Sequence, residues 1–182
     1  HKVYHRGWGM ELAVKSPRAD RVANRRALEG FVQEDNTWVG LGLHPHIVTC
    51  FFVRLMGVPR IFIEYMEGGT LSEWLRTQKT LAMKEALDIA LQIARAMEYS
   101  HSKGLIHRDL KPGNLFLSGS GRSRVVKVAD FGLAKAFETA GLTGRTGTGM
   151  VGGTPVFMSR QQALDFKYAK PDVDVWAMAA SL

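Results

Sequence analysis

His107-Arg108-Asp109-Leu110-Lys111-Pro112-Gly113-Asn114 is the stretch on which the reading of this chain turns. Asp109 can accept a proton or orient a hydroxyl, Lys111 carries a point charge, Asn114 offers an amide oxygen to a cation, and Arg108 can fork onto an anion. A solvated loop closing a preceding helix would account for this composition. The order of the residues, and what the rest of the chain supplies, have to decide between the two.

The chain around this stretch has 182 residues, 46% hydrophobic and 23% charged, the balance of a soluble globular protein rather than a disordered or fibrous one. It opens at His1 and stops at Leu182, inside the apolar run that begins Val175-Trp176-Ala177-Met178, so both ends are expected to be cut. No apolar run is long enough to span a bilayer, and no signal-peptide pattern opens the sequence, which predicts a cytoplasmic piece or the cytosolic part of a longer protein. The single Cys50 excludes an internal disulfide and a four-thiolate metal site, and is expected to be buried. Net charge is +7, with Arg18, Arg21, Arg25 and Arg26 clustered. Without an aromatic platform or zinc-finger spacing beside it, that cluster predicts a solvated helix face and no nucleic-acid partner; basic charge also favours an anionic nucleotide or an acidic substrate.

Upstream, Val3-Tyr4, the Gly7-Trp8-Gly9 turn and Glu11 to Lys15 predict a hairpin. Asp20 to Leu43 has near-helical apolar spacing (Ala27, Phe31, Trp38, Leu41), ended by His44-Pro45, and it carries Glu34. Val48 to Val53 and Arg60 to Tyr65 predict two further strands about Gly57-Val58-Pro59. Glu64-Tyr65-Met66-Glu67-Gly68-Gly69 then predicts an extended linking segment whose glycines let the chain turn away. Thr70 is placed to cap a short helix through Trp74 and Leu75. A longer helix with Ala86, Ile89, Ala90, Ile93, Ala94 and Met97 on one face ends at Gly104.

Downstream, Leu115-Phe116-Leu117 and Val125-Val126-Lys127-Val128 predict a hairpin that brings Asn114 and the Asp130 of Asp130-Phe131-Gly132 together, as a metal site of oxygen ligands requires. Leu133 to Gly153 is rich in Gly and Thr without apolar periodicity. Gly147-Thr148-Gly149-Met150-Val151-Gly152 satisfies G-x-G-x-x-G, but no strand precedes it and no helix follows, so a dinucleotide site is not expected there.

Taken together, these motifs resemble, in order and over nearly the whole chain, the catalytic domain of the protein kinase superfamily, and specifically a serine/threonine kinase of bacterial type. His107 to Asn114 matches H-R-D-L-x-x-x-N, Leu12-Ala13-Val14-Lys15 matches V-A-I-K, and Asp130-Phe131-Gly132 matches D-F-G. The resemblance implies an α+β bilobal fold: residues 1–66 form a small antiparallel-sheet lobe with one helix, and 67–182 a mainly helical, incomplete second lobe. It implies ATP and magnesium as cofactors and a protein substrate offering Ser or Thr. Asp109 would accept or orient the substrate hydroxyl, Lys111 would neutralise the transferring phosphoryl, and Asn114 and Asp130 would hold the metal. Val3, Ala13, Lys15, Glu34, Ile63, Glu64, Met66 and Leu115 would surround the nucleotide, Ile63 guarding the back of the pocket. Arg108 would meet phosphate on the threonine-rich segment, where Thr146 and Thr148 are candidate sites with Thr139 and Thr143. Asp174 would brace the catalytic loop.

Two departures from the family pattern stand out. The glycine-rich loop over the phosphates is missing before Val3, which predicts weak ATP binding by this piece, and Ser159-Arg160-Gln161 replaces the usual Ala-Pro-Glu or Ser-Pro-Glu. They leave a non-catalytic interaction module, a pseudokinase or decayed fragment, as the alternative to an enzyme.

Overall fold

The computed structural model describes residues 1–16, 38–54, 58, 60–78, 80–120, 123–131, 155–164 and 169–182. The expected Glu34, the arginine cluster and the threonine-rich segment with Thr146 and Thr148 lie outside them.

The first lobe is a four-stranded antiparallel sheet of β1 (Lys2–His5), β2 (Met10–Lys15), β3 (Cys50–Arg54) and β4 (Arg60–Glu64), in spatial order β1-β2-β4-β3. Strand alternation gives the sheet two different faces. Leu12, Cys50, Ile61 and Ile63 are buried, whereas Phe52 stacks on Phe62 at 4.4 Å and meets Trp8 edge-on. The third strand starts two residues later than the apolar run Val48 to Val53 suggests. The reason is competition for hydrogen bonds, since the Val48 N–H donates to the Val128 carbonyl (2.9 Å) and the Val128 N–H to the His46 carbonyl (2.9 Å). The backbone from His46 to Val48 is thereby paired to the second lobe, and Thr49, whose carbonyl accepts the Glu64 N–H (2.9 Å), is the first residue to meet the sheet. Residues 38–40 are helical and stop at Gly42 (φ +65°), ahead of the expected His44-Pro45. A left-handed residue just past the helix ends it before proline can.

In the second lobe, α1 (Leu71–Gln78) begins with a reciprocal cap: the Glu73 N–H donates to Thr70 Oγ1 (3.2 Å), and the Thr70 N–H to Glu73 Oε2 (2.8 Å). The Thr70 N–H and hydroxyl hold the Glu73 carboxyl below its ordinary range. Helix α2 (Met83–Ser102) buries Ile89, Ile93, Ala96 and Met97, and with them the polar Gln92 and Ser100, which the apolar count passes over. Gln92 Oε1 accepts from the Val126 N–H (2.8 Å), fastening α2 to the strand beside it. The helix closes as sequence predicts, with Gly104 at φ +74°, its N–H on the His101 carbonyl and that of Leu105 on the Ser100 carbonyl. A 3-10 turn (Pro112–Asn114) leads into the hairpin β5 (Leu115–Ser118) and β6 (Val125–Val128), followed by α3 (Arg160–Leu164) and α4 (Asp172–Ala180). One apolar cluster runs from Trp38 and Ile63 through Ile93 and Leu115 to Phe131 and Ala177, with Cys50 inside it.

Thr70→Ala is expected to lower the unfolding free energy by about 1 kcal/mol, the usual loss for a helix cap. Because the folded Glu73 carboxyl titrates low, the share of this contribution that comes from the Thr70 hydroxyl on that carboxylate (2.9 Å) is present above its unfolded value and lost as pH falls through the folded one, while the bond from the Glu73 N–H to Thr70 Oγ1 does not titrate. The gap between wild type and variant, followed by denaturant titration, should therefore narrow below about pH 4. A constant gap across that range would contradict the reciprocal cap.

Candidate active site

The loop from His107 to Asn114 is held from three sides. The first is α4, where the fully buried Asp174 accepts from the His107 N–H through Oδ2 (2.8 Å), from the Arg108 N–H through Oδ1 (2.8 Å) and from His101 Nε2 (2.8 Å). Asp174 thus takes the bracing position that the sequence resemblance assigns to it. The second side is the buried His107 ring. The Asp109 N–H donates to its Nδ1 (3.2 Å), so the ring proton sits on Nε2 and reaches the Ala129 carbonyl (2.8 Å), next to Asp130. The same ring meets buried Phe131 edge-on at 4.9 Å. The third side is Asn114, whose Nδ2 donates to the Asp109 carbonyl (2.7 Å) and carboxylate (3.2 Å).

This bracing sustains an unfavourable backbone. Arg108 has φ +64° and Asp130 φ +67°, a region costing a non-glycine residue on the order of 1–3 kcal/mol. Arg108 is the hinge point at which the loop turns Asp109 outward. There Lys111 Nζ bridges both Asp109 carboxylate oxygens, at 2.9 and 2.7 Å, so the acid and its neighbouring cation form one partly exposed unit.

Asn114 and Asp130 leave adjacent ends of the β5/β6 hairpin, in which Leu115 faces Val128 and the Ala129 N–H donates to the Asn114 carbonyl (2.9 Å). With the Asn114 amide N–H groups committed to Asp109, its amide oxygen is the group left for a cation. Asp130 also pairs with Lys15 at 2.7 Å, linking the end of β2 to the second lobe. Glu34, the partner expected for Lys15, is outside the described residues. Among those residues, no three His, Cys, Asp or Glu side chains converge as metal ligands. Asn114 and Asp130 are a hard oxygen pair that needs further oxygens from a ligand to complete a shell, which fits magnesium held jointly with phosphates.

The remaining candidates line up along the sheet and the linking segment. Val3 lies opposite Leu12, and Ala13 opposite Ile63. Ile63 and Met66 are buried, and Leu115 is fully buried at the start of β5. At Glu64 the geometry is narrower than expected, because its N–H is already committed to the Thr49 carbonyl (2.9 Å). Its carboxylate, meanwhile, accepts from the Thr49 N–H (3.2 Å) and from Lys127 Nζ (2.7 and 2.8 Å). Past Met66, the Gly68 N–H donates to the Leu117 carbonyl and the Leu117 N–H to the Gly69 carbonyl, both at 2.9 Å. A Cβ on Gly68 would sit 2.5 Å from the Leu117 carbonyl oxygen, so this close pairing requires glycine.

Three participants escape the sequence reading. Lys127 looks like the exposed member of an alternating strand, and only three dimensions bring it onto Glu64. His101 reads as a helix-end residue. Gln162 is the third: Arg160 and Gln161, where the family motif changes, are exposed, whereas Gln162 is buried and its Nε2 donates to the Arg108 carbonyl. The Ser159-x-x-Gln162 spacing of a capping box was the signal available for it.

The protein kinase domain model matches residues 1–182. A probable serine/threonine-protein kinase of Streptomyces coelicolor is 36% identical over 170 residues, covering 89% of this chain and 24% of the relative. Serine/threonine-protein kinases PknK and PknA of Mycobacterium tuberculosis are 32% and 34% identical, over 97% and 93% of the chain. The chain spans 16% of the first and 39% of the second. No described helix is long and apolar enough to cross a membrane.

Glu64 and Lys127 are mostly shielded from water, so removing one charge strands the other. Lys127→Met should cost about 1–3 kcal/mol, between the exposed and buried limits for ion pairs. A double-mutant cycle with Glu64→Gln, read by thermal unfolding, should recover part of that loss. Simple additivity would mean that the two side chains do not interact.

Proposed function

The chain belongs to the protein kinase domain family, and from that premise we propose that it transfers the γ-phosphoryl group of ATP to serine or threonine hydroxyls of protein substrates, with magnesium. The observation that carries this reading is the Asp109 carboxylate, turned out of a braced loop with Lys111 Nζ on both its oxygens. Phosphoryl transfer asks little covalent chemistry of a protein and mostly positioning and charge stabilisation. A set of weakly reactive polar groups on a rigid frame suits that demand.

In this reading Asp109 receives the substrate hydroxyl, orients its lone pair towards the phosphorus and takes the proton as the bond forms. Lys111, already at the carboxylate, offsets the charge on the oxygens of the transferring group. Lys15 exchanges Asp130 for the α and β phosphates of the nucleotide, and Glu34 holds Lys15 in place. Asn114 and Asp130 would hold magnesium, which when bound would supply positive charge against the phosphates. Val3, Ala13, Ile63, Met66 and Leu115 enclose the base, and the Glu64 carbonyl and the backbone at Met66 read its edge, the Glu64 N–H being held by Thr49. The division into lobes falls after Met66. Arg108 and phosphate on Thr146 or Thr148 supply regulation.

Two features support serine/threonine over tyrosine specificity: Lys111 two residues after Asp109, and relatives that carry serine/threonine kinase names. Asp109→Asn keeps the shape and removes the acceptor. In the protein that carries this domain it should lower phosphate transfer from labelled ATP by about 10²–10⁴-fold while leaving nucleotide affinity nearly unchanged. Equal transfer by both proteins would overturn the role given to Asp109.

A further inference from the structure

Gln162 stands where a capping residue would, and it does something else. Ser159 opens α3 by accepting the Gln162 N–H on Oγ (3.2 Å) and the Ala163 N–H on its carbonyl (3.0 Å). With Ser at the cap and Gln three residues on, the Gln side chain would ordinarily reach back to the Ser159 N–H. Instead the Gln162 amide donates to the Arg108 carbonyl, and the side chain is buried, 3% exposed. The residue it holds is the one with positive φ in the catalytic loop, whose N–H is fixed by Asp174 (2.8 Å). Arg108 is therefore pinned at both of its backbone polar groups, by α4 on one side and by α3 on the other. The peptide carbonyl that Gln162 fixes is bonded directly to the Asp109 nitrogen, so its orientation sets where the Asp109 side chain begins.

We propose that Gln162 is a positioning residue for Asp109: its donor locks the Arg108–Asp109 peptide and makes the aim of the acid depend on α3 being docked. The proposal deepens the kinase reading and rests on it for its catalytic consequence. Gln162 touches no reacting atom, so its loss should act on turnover more than on binding. It also gives the segment leading into Ser159 a physical route to the acid, because anything that shifts α3 moves the donor away from Arg108.

The test compares wild type with Gln162→Glu and Gln162→Met in the protein that carries this domain. Glu suits the third position of a capped helix but offers an acceptor to a carbonyl, and Met keeps length and volume with no donor. Both should lower kcat on the order of ten- to a hundredfold with KM for ATP changed less than about twofold, the pattern of a misplaced group and not of a lost binding contact. Amide exchange at Arg108 and Asp109 should accelerate in both variants while that of α2 stays at the wild-type rate. Unchanged kcat and unchanged exchange at those two amides would overturn the proposal. So would a loss of kcat matched by faster exchange throughout α2, since that is ordinary destabilisation. Should wild type transfer no phosphate, the kinase reading fails, and the exchange at Arg108 and Asp109 still decides whether Gln162 locks the peptide.

Discussion

A single carboxylate with no access to water holds the functional half of this molecule together. Asp174 accepts three hydrogen bonds, two of them from consecutive backbone N–H groups of the loop that presents Asp109. A buried carboxylate would be costly without such partners. With them it becomes an anchor that fixes the loop's direction. The left-handed Arg108 exists because this anchor, joined by Gln162 on the carbonyl side, over-determines a conformation the residue would otherwise leave. Bracing and strain are two aspects of one arrangement, and its product is an acid held outward.

From that anchor the connections run to both lobes. The His107 ring passes the constraint to the Ala129 carbonyl, and the Ala129 N–H returns it to Asn114, so the two proposed metal ligands share one short backbone circuit with the loop. The strand leading to Asp130 is paired with the segment from His46 to Val48 and pinned to the linking segment by Lys127 on Glu64. The lobes are thus joined by backbone bonds and a shielded ion pair as well as by the linking chain. Lys15 on Asp130 adds a second ion pair between the lobes.

The sequence made much of this legible, for identifiable reasons. Motif order exposed the loop, the Lys15 strand, the Asp130 turn and the bracing role of Asp174, because each is a local pattern of residue types. Gly104 and Thr70 were legible because caps obey short-range rules. Where local pattern competes with tertiary pairing, it misleads: Val48 has strand-forming neighbours, but its N–H goes to Val128. Gln92 and Ser100 were passed over because a polar side chain that finds partners can be buried on an apolar face. Lys127 and Gln162 could not be found by periodicity at all, since their roles depend on which distant backbone or carboxylate the fold sets beside them.

The central claim is that the acid works only while Asp174 holds the loop beneath it, and replacing that carboxylate tests it most directly. In Asp174→Asn one acceptor oxygen becomes a donor facing a backbone N–H, so the loop loses one anchor and gains a repulsive contact. Measured as phosphate transfer from ATP by the protein that carries this domain, the variant should lose on the order of a hundredfold in kcat, with Asp109, Lys111 and Asn114 all intact. Wild-type turnover in a folded Asp174→Asn protein would contradict the account.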